Sequence, residues 1–141
     1  MSAYLDASVI VPTLVDSPPS PVVHAYLIAS AEAFIVSDFA AAEVASALSR
    51  LVRTRELEHA DALARLATFD QWLALDTTSV TTKPADIQQA AALVRRFELK
   101  LRTPDALQIA ICARSAARLV TRDGTMAQAG TTVGIAVTFL L

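Results

Sequence analysis

Two kinds of hydrophobic segment alternate along the chain. One is a short apolar run, and the other is a longer stretch whose apolar residues have helical spacing. The short runs predict strands at 3–5, 33–36, 77–81, 119–121 and 135–139. The longer stretches predict helices at 21–30, 39–53, 58–74, 84–97, 103–116 and 125–130, with a helical or turn-like segment at 8–15. Strands that alternate with helices indicate an α/β domain with a mainly parallel sheet of about five short strands between helices.

The chain has 141 residues, which is the size of a single domain, 1–141, with its own core. No apolar run approaches the ~20 residues of a membrane-spanning helix, and Asp6 interrupts the first apolar stretch. We therefore expect no contact with a membrane and no signal peptide. The single cysteine, Cys112, lies in an apolar stretch, which predicts a buried thiol in a reducing compartment, the cytoplasm.

Several kinds of chemistry are excluded by residue usage. The three glycines do not form a dinucleotide-binding or phosphate-binding loop motif, and the two histidines lie far apart without zinc-ligand spacing. A net charge of −2 argues against a protein that holds nucleic acid by bulk positive charge. The remaining candidates for chemistry are carboxylates, hydroxyls and arginines.

Two aspartates stand at the ends of predicted strands. Asp6 closes the first strand and Asp123 follows the fourth. Ordinary structural roles would explain each one alone, as a helix N-cap and as a turn residue before glycine. The carboxyl ends of parallel strands nevertheless form the edge at which open α/β sheets bind ligands. The pair therefore predicts a ligand site at that edge, where Ser8 and Thr121 would add hydroxyl groups.

Two further acids lie on predicted helices. Glu43 is the one charged residue on an apolar stripe of its helix, where an isolated carboxylate is costly unless it is paired or bound to a metal. An arginine partner at the edge of the stripe would be the ordinary explanation for Glu43. Asp105 follows Thr103 and opens the most apolar helix, where an acid in the first turn is common. Gln108, one turn later, is placed to donate a hydrogen bond to Asp105.

Together the four acids predict a metal site. Parallel topology brings the strand ends to one edge, and carboxylates gathered there repel one another unless a cation binds. Oxygen ligands favour a hard divalent ion, so we expect Mg²⁺ or Mn²⁺ as the cofactor. Such an ion supports phosphoryl chemistry, which makes Asp6, Glu43, Asp105 and Asp123 candidate metal-binding and catalytic residues.

Four segments also carry a family resemblance. They are Y-L-D-A-S-V-I-V near the start, S-D-F-A-A-A-E-V-A-S-A-L at 37–48, L-R-T-P-D-A-L-Q-I-A at 101–110 and L-V-T-R-D at 119–123. In order and spacing they resemble the PIN-domain ribonucleases, and in particular the VapC-type toxins of bacterial toxin–antitoxin pairs. The resemblance covers essentially the whole chain and implies a three-layer PIN-like fold that usually forms a homodimer.

The resemblance also implies an activity and a set of site residues. The activity is Mg²⁺- or Mn²⁺-dependent endonucleolytic cleavage of RNA, inhibited by a small cognate antitoxin. Asp6, Glu43 and Asp105 match the three core metal-site acids, Asp123 matches a fourth, and Ser8 and Thr121 match the supporting hydroxyls. One departure is Gln108, where the family often has histidine, and we expect this change to tune activity rather than abolish it.

Contacts to RNA are expected from two groups of basic residues. These are Arg50, Arg53 and Arg55, and then Arg95, Arg96, Lys100 and Arg102. Both groups would equally suit solvated helix ends, where cations interact favourably with the helix dipole. Because the chain has only eight aromatic residues, we expect recognition of RNA shape and backbone more than base stacking.

Three other classes of protein gather acids on an α/β sheet. A receiver-like signalling module would bind Mg²⁺ beside a phosphate-accepting aspartate, but the chain has no adjacent acid pair and no lysine that ends a late strand. Another α/β hydrolase would need D-x-D at the first strand, where Ser8 occupies the third position. A catalytically silent PIN-fold binding protein is disfavoured because all four acids are present.

Overall fold

The computed structural model describes residues 1–141 and places a five-stranded sheet at the centre of the molecule. The strands are β1 (Ala3–Leu5), β2 (Phe34–Ser37), β3 (Thr77–Val80), β4 (Arg118–Thr121) and β5 (Val137–Phe139). Their order is β3-β2-β1-β4-β5, and every neighbouring pair is parallel. The predicted parallel sheet of five short strands is therefore confirmed. Because β1 is central, the residue that follows it lies in the middle of the carboxyl edge.

Seven α-helices flank the sheet. They are α1 (Ala7–Leu14), α2 (Ser20–Ala29), α3 (Asp38–Arg53), α4 (His59–Asp76), α5 (Pro84–Val94), α6 (Thr103–Arg114) and α7 (Gly124–Thr132). None of them is both long and apolar enough to span a membrane. Cys112 of α6 is buried, as predicted, and this burial raises the pKa of its thiol to about 12.

Two apolar clusters lie on opposite faces of the sheet, because alternate strand residues point to opposite sides. Tyr4 belongs to one cluster, with residues of α5, α6 and α7. Ala3 and Leu5 belong to the other, with residues of α1, α2, α3 and α4. The fold therefore has three layers, as the family resemblance implies.

The helix boundaries correct two details of the prediction. Helix α5 ends at Val94 rather than at 97, because Arg96 leaves the helical conformation and Phe97–Leu99 forms a separate 3-10 turn. That turn closes at Lys100, which has a left-handed φ of 58°. Helix α6 begins at Thr103, as predicted, but ends at Arg114 rather than at 116.

An ion pair between the exposed Arg114 and the buried Asp86 joins α5 to α6. The Arg114 guanidinium donates to both carboxylate oxygens of Asp86, at 2.8 and 2.9 Å, and also to the Thr81 carbonyl. The Lys83 backbone N–H donates to Asp86 as well. These donors, Arg114 first, hold the pKa of Asp86 below its ordinary value. Because the Asp86 side chain is only 3% exposed, the pair is a structural contact on the side of the sheet where α5 and α6 pack.

Candidate active site

The four predicted acids lie at or near the N-terminal ends of four helices. Asp6 connects β1 to α1, and Asp123 lies between β4 and α7. Glu43 lies in the second turn of α3, the helix that follows β2, and Asp105 lies in the first turn of α6. The chain topology therefore brings one acid from each of four segments to this side of the molecule.

Asp6 is buried and is held by two hydroxyl groups. Ser8 Oγ donates to one carboxylate oxygen at 2.6 Å, and Thr121 Oγ1 donates to the other at 2.7 Å. Although Asp6 is the N-cap residue of α1, its side chain makes no capping hydrogen bond. Burial raises the pKa of Asp6 to about 6, and the negative charge of Glu43 adds to that rise. Helix capping, the ordinary explanation for this aspartate, therefore does not account for its side chain.

The same hydroxyl groups connect the loops after β1 and β4. Ser8 Oγ accepts from the backbone N–H of Arg122 at 2.8 Å. Thr121 Oγ1 accepts from the backbone N–H of Asp123 at 3.0 Å. Each hydroxyl thus accepts from the second loop and donates to Asp6, which fixes the position of the carboxylate.

Glu43 is connected to the core through a chain of polar side chains. The amide nitrogen of Gln108 donates to Glu43, and the Tyr4 hydroxyl donates to the amide oxygen of Gln108. Ser37 Oγ lies 2.7 Å from the Tyr4 hydroxyl and also caps α3. Glu43 forms no ion pair with an arginine, so the ordinary explanation for its place on the stripe does not apply. Gln108 does not bond to Asp105 as predicted, because Tyr4 and Glu43 engage its amide.

Asp105 and Asp123 have weaker local partners. Arg102 Nε lies 3.7 Å from Asp105, but the Arg102 side chain is 83% exposed. Burial raises the pKa of Asp105, and the negative charge of Asp123 adds to this. Asp123 accepts from the Met126 backbone N–H at 3.0 Å and so caps α7. Asp123 therefore has the structural role that its position before a glycine suggests, while it remains beside Asp105.

The four acids form a chain of interacting charges. Burial is the first cause of the raised pKa at Asp6, Glu43 and Asp105, and a neighbouring acid contributes in each case. The neighbours run in sequence from Asp6 to Glu43, to Asp105 and to Asp123. No three of the chain's carboxylate, histidine or cysteine side chains, however, lie close enough together to form a ready ligand group for a metal ion.

The family follows from a sequence profile. The profile of the PIN domain matches residues 3–131. The chain belongs to the PIN domain family. Comparison with curated protein sequences gives no match.

Solved structures of toxin–antitoxin proteins have the same fold as this PIN domain. The VapC20 toxin of Mycobacterium tuberculosis, described as cleaving the sarcin–ricin loop, has a TM-score of 0.73 at 17% identity over 96% of this chain and 97% of its own. A toxin–antitoxin complex from Klebsiella pneumoniae has a TM-score of 0.70 at 18% identity, over 99% of this chain and 98% of its own. VapBC2 of Rickettsia felis, bound to a promoter DNA fragment, has a TM-score of 0.69 at 15% identity, over 99% of this chain and 98% of its own. These similarities show a VapC-like fold over the whole PIN domain.

The donor set of this PIN domain fits a hard divalent cation. Its candidate ligands are all oxygens, and a carboxylate that accepts one hydrogen bond per oxygen still has lone pairs for a cation. Each carboxylate oxygen of Asp6 accepts one side-chain hydrogen bond and so keeps a lone pair for a cation. Because no three ligands converge in this structure, a shared ion requires at least one of the acidic side chains to change position.

The basic residues predicted to contact RNA are dispersed. Arg50 and Arg53 are exposed near the end of α3, where Arg53 donates to Ser49. Arg95 is exposed beyond α5, and Arg96 pairs with Glu98 at 3.0 Å. Among these arginines, Arg102 alone forms an ion pair with an acid of the site.

Sequence reasoning missed three residues that bear on the site. Tyr4 and Ser37 support Gln108 from the centre of the sheet, and Arg122 lies between two site residues. A tyrosine in the central strand, two residues before Asp6, reads as an ordinary core residue from sequence. Only the burial of its hydroxyl beside Gln108 distinguishes it.

Asp6 gives the metal-free protein a defined dependence of stability on pH. Its folded pKa of about 6 exceeds its ordinary 3.8, so the folded state binds the proton more tightly. The free energy of unfolding therefore falls as the pH rises from about 4 to 6, by up to about 3 kcal/mol. Urea unfolding in chelator should show this fall in wild type but not in Asp6→Asn. Parallel pH profiles for the two proteins would contradict the assignment.

Proposed function

We propose that this PIN domain is a metal-dependent endoribonuclease that acts as the toxin of a toxin–antitoxin pair. The observation that carries the proposal is the buried Asp6 carboxylate, held by Ser8 and Thr121 beside Glu43 at the carboxyl edge of the sheet. A buried carboxylate with a raised pKa and a neighbouring acid is typical of sites that perform chemistry or bind a cation. The fold, shared with a toxin described as cleaving the sarcin–ricin loop, supports this reaction class.

Asp6, Glu43, Asp105 and Asp123 would hold Mg²⁺ or Mn²⁺. When bound, the ion lowers the pKa of a coordinated water and stabilises negative charge on the phosphoryl oxygens. The protein supplies the positions of the ligands. Ser8 and Thr121 fix both oxygens of Asp6, and Gln108 fixes Glu43 through one oxygen. One of the four carboxylates would accept a hydrogen bond from the attacking water and so orient it.

A small antitoxin protein is the proposed partner, and the cytoplasm the proposed location. The acids of the site carry formal negative charge without full pairing, so an arginine side chain of the antitoxin can enter and bind two carboxylates. Solved toxin–antitoxin complexes are among the proteins of similar fold. A homodimer is the proposed assembly, by the family resemblance.

Incubation of the purified protein with RNA tests the proposed function. Cleavage products should accumulate in Mg²⁺ or Mn²⁺, should be absent in chelator, and should disappear when the cognate antitoxin is added. A receiver-like module would instead take a phosphate from a small phosphodonor in Mg²⁺. Phosphorylation at Asp6 without RNA cleavage would therefore replace the nuclease with the signalling role.

A further inference from the structure

A cleft opens directly beside Glu43 on the side of α1 and α3. Its volume is about 430 Å³, within the range of small-ligand sites. Its lining includes Ser8, Val11, Pro12, Glu43, Ala47 and Arg122. Arg122 is the one cationic residue among the lining residues. Because Glu43 and Ser8 also belong to the acidic site, the cleft is continuous with that site.

Arg122 has an unusual environment for an arginine. Its Nε is buried and has no hydrogen-bond partner, and its guanidinium forms no ion pair with any acid, including the Glu43 that shares the cleft. In the whole chain, the only other buried side-chain nitrogen or oxygen without a partner is one oxygen of Glu32. A buried donor without an acceptor is costly, so such a group in a native fold calls for an explanation.

The backbone of Arg122 is fixed by the site itself. Its N–H donates to Ser8 Oγ at 2.8 Å, and its neighbours in sequence are Thr121 and Asp123. The side chain therefore projects from a rigid turn that also positions Asp6. Burial of Nε restricts the conformations of this side chain, which reduces the entropy it loses when it binds a ligand. The site thus presents one positive charge, at a defined place, next to a group of negative ones.

We propose that Arg122 binds a phosphate of the RNA strand next to the scissile phosphodiester, while the apolar wall of the cleft contacts the adjacent sugar and base. This inference rests on the proposed function and names how the substrate is held. A guanidinium matches the oxygens of a phosphate through two parallel hydrogen bonds. An RNA strand carries a phosphate at every nucleotide. When one phosphate lies at the acidic site, a neighbouring phosphate of the same strand can therefore lie in the adjoining cleft. Because the net charge is −2, binding of RNA depends on local cations rather than on bulk positive charge, and Arg122 is the cation in this cleft.

Anisotropy of a labelled single-stranded RNA of mixed sequence, titrated in EDTA over a range of salt concentrations, tests the proposal without any need for metal or cleavage. Arg122→Gln should bind about five- to tenfold more weakly than wild type. The slope of log affinity against log salt should become shallower by about 0.7, the value for one phosphate contact on a single strand. Arg122→Lys should retain most of the slope with reduced affinity, because it keeps the charge and loses the fork.

Lys83→Gln is the matched control, since it removes one positive charge from an exposed position at the start of α5. It should bind RNA as wild type does. Equal affinity and slope for wild type and Arg122→Gln would overturn the inference, and so would a wild type with no affinity for RNA. Loss of antitoxin binding alone in Arg122→Gln would also overturn it and assign the cleft to a protein carboxylate. A wild type that binds RNA through Arg122 but never cleaves it would instead count against the proposed nuclease.

Discussion

Asp105→Asn is expected to reduce Mn²⁺-dependent RNA cleavage by about 100-fold or more, with the fold intact. The substitution keeps the shape of the side chain and removes a charge at the site. Loss of a single electrostatic contact to the reacting group costs about 10²–10³ in rate, and loss of a metal ligand should cost at least as much. The one ion pair of Asp105 is with the exposed Arg102, so little structure depends on its charge.

Initial rates of RNA cleavage at saturating Mn²⁺ measure this effect. Asp70→Asn is the matched control, because Asp70 is an exposed residue of α4 outside the site, and it should cleave at the wild-type rate. Circular dichroism and thermal melts establish that both variants are folded. A folded Asp105→Asn protein with wild-type activity would remove Asp105 from the site.

Arg114→Met is expected to lower the free energy of unfolding at pH 7 by about 1–3 kcal/mol, the usual cost of leaving one buried acceptor unsatisfied. The substitution removes the bidentate partner of the buried Asp86 carboxylate, which keeps only the Lys83 backbone N–H as a donor. The double variant Asp86→Leu/Arg114→Met removes both charges and should recover most of the loss. Urea unfolding of the two variants distinguishes them, and equal losses would show that the unpaired Asp86 carboxylate is not the cause of the destabilisation.

The pH dependence of this ion pair has the opposite sign to that of Asp6. Because Arg114 lowers the pKa of Asp86, the pair contributes fully above the ordinary pKa of 3.8. Its contribution is lost as the pH falls through the lowered folded pKa. As the pH falls through the acid range, the free energy of unfolding should therefore decrease less steeply for Arg114→Met than for wild type. The variant lacks the contribution that low pH removes.

The sheet and the place of the acids were predictable because both follow from local patterns. Short apolar runs that alternate with amphipathic stretches define a parallel α/β sheet, and Asp6 directly follows one such run. The turn residues Ser37 and Asp123 cap α3 and α7, and both are standard capping types. Strands, helices and caps are determined by residues that are close together in the chain, so the sequence alone predicts them.

The partners of the acids were less predictable, because they depend on contacts between distant segments. Gln108 was expected to bond to Asp105, three residues away, but it contacts Glu43 and Tyr4, which are 65 and 104 residues away. The orientation of α6 against β1 decides this choice. The Asp86–Arg114 pair and the buried Nε of Arg122 likewise arise from packing between elements.

Thermal melts of wild type and Asp6→Asn, each in chelator and in millimolar Mn²⁺ at pH 7, test the metal site most directly. Ion binding to the folded chain should stabilise wild type by about 2.7 kcal/mol when Mn²⁺ is a hundredfold above its dissociation constant. In chelator, Asp6→Asn should melt higher than wild type, because a buried charge beside Glu43 is removed. In Mn²⁺ the melting temperature of Asp6→Asn should rise much less than that of wild type, because a ligand is missing. The difference between the two melting temperatures should therefore shrink or change sign. Equal shifts in both proteins on adding Mn²⁺ would show that Asp6 is not a metal ligand and would contradict the proposed nuclease site.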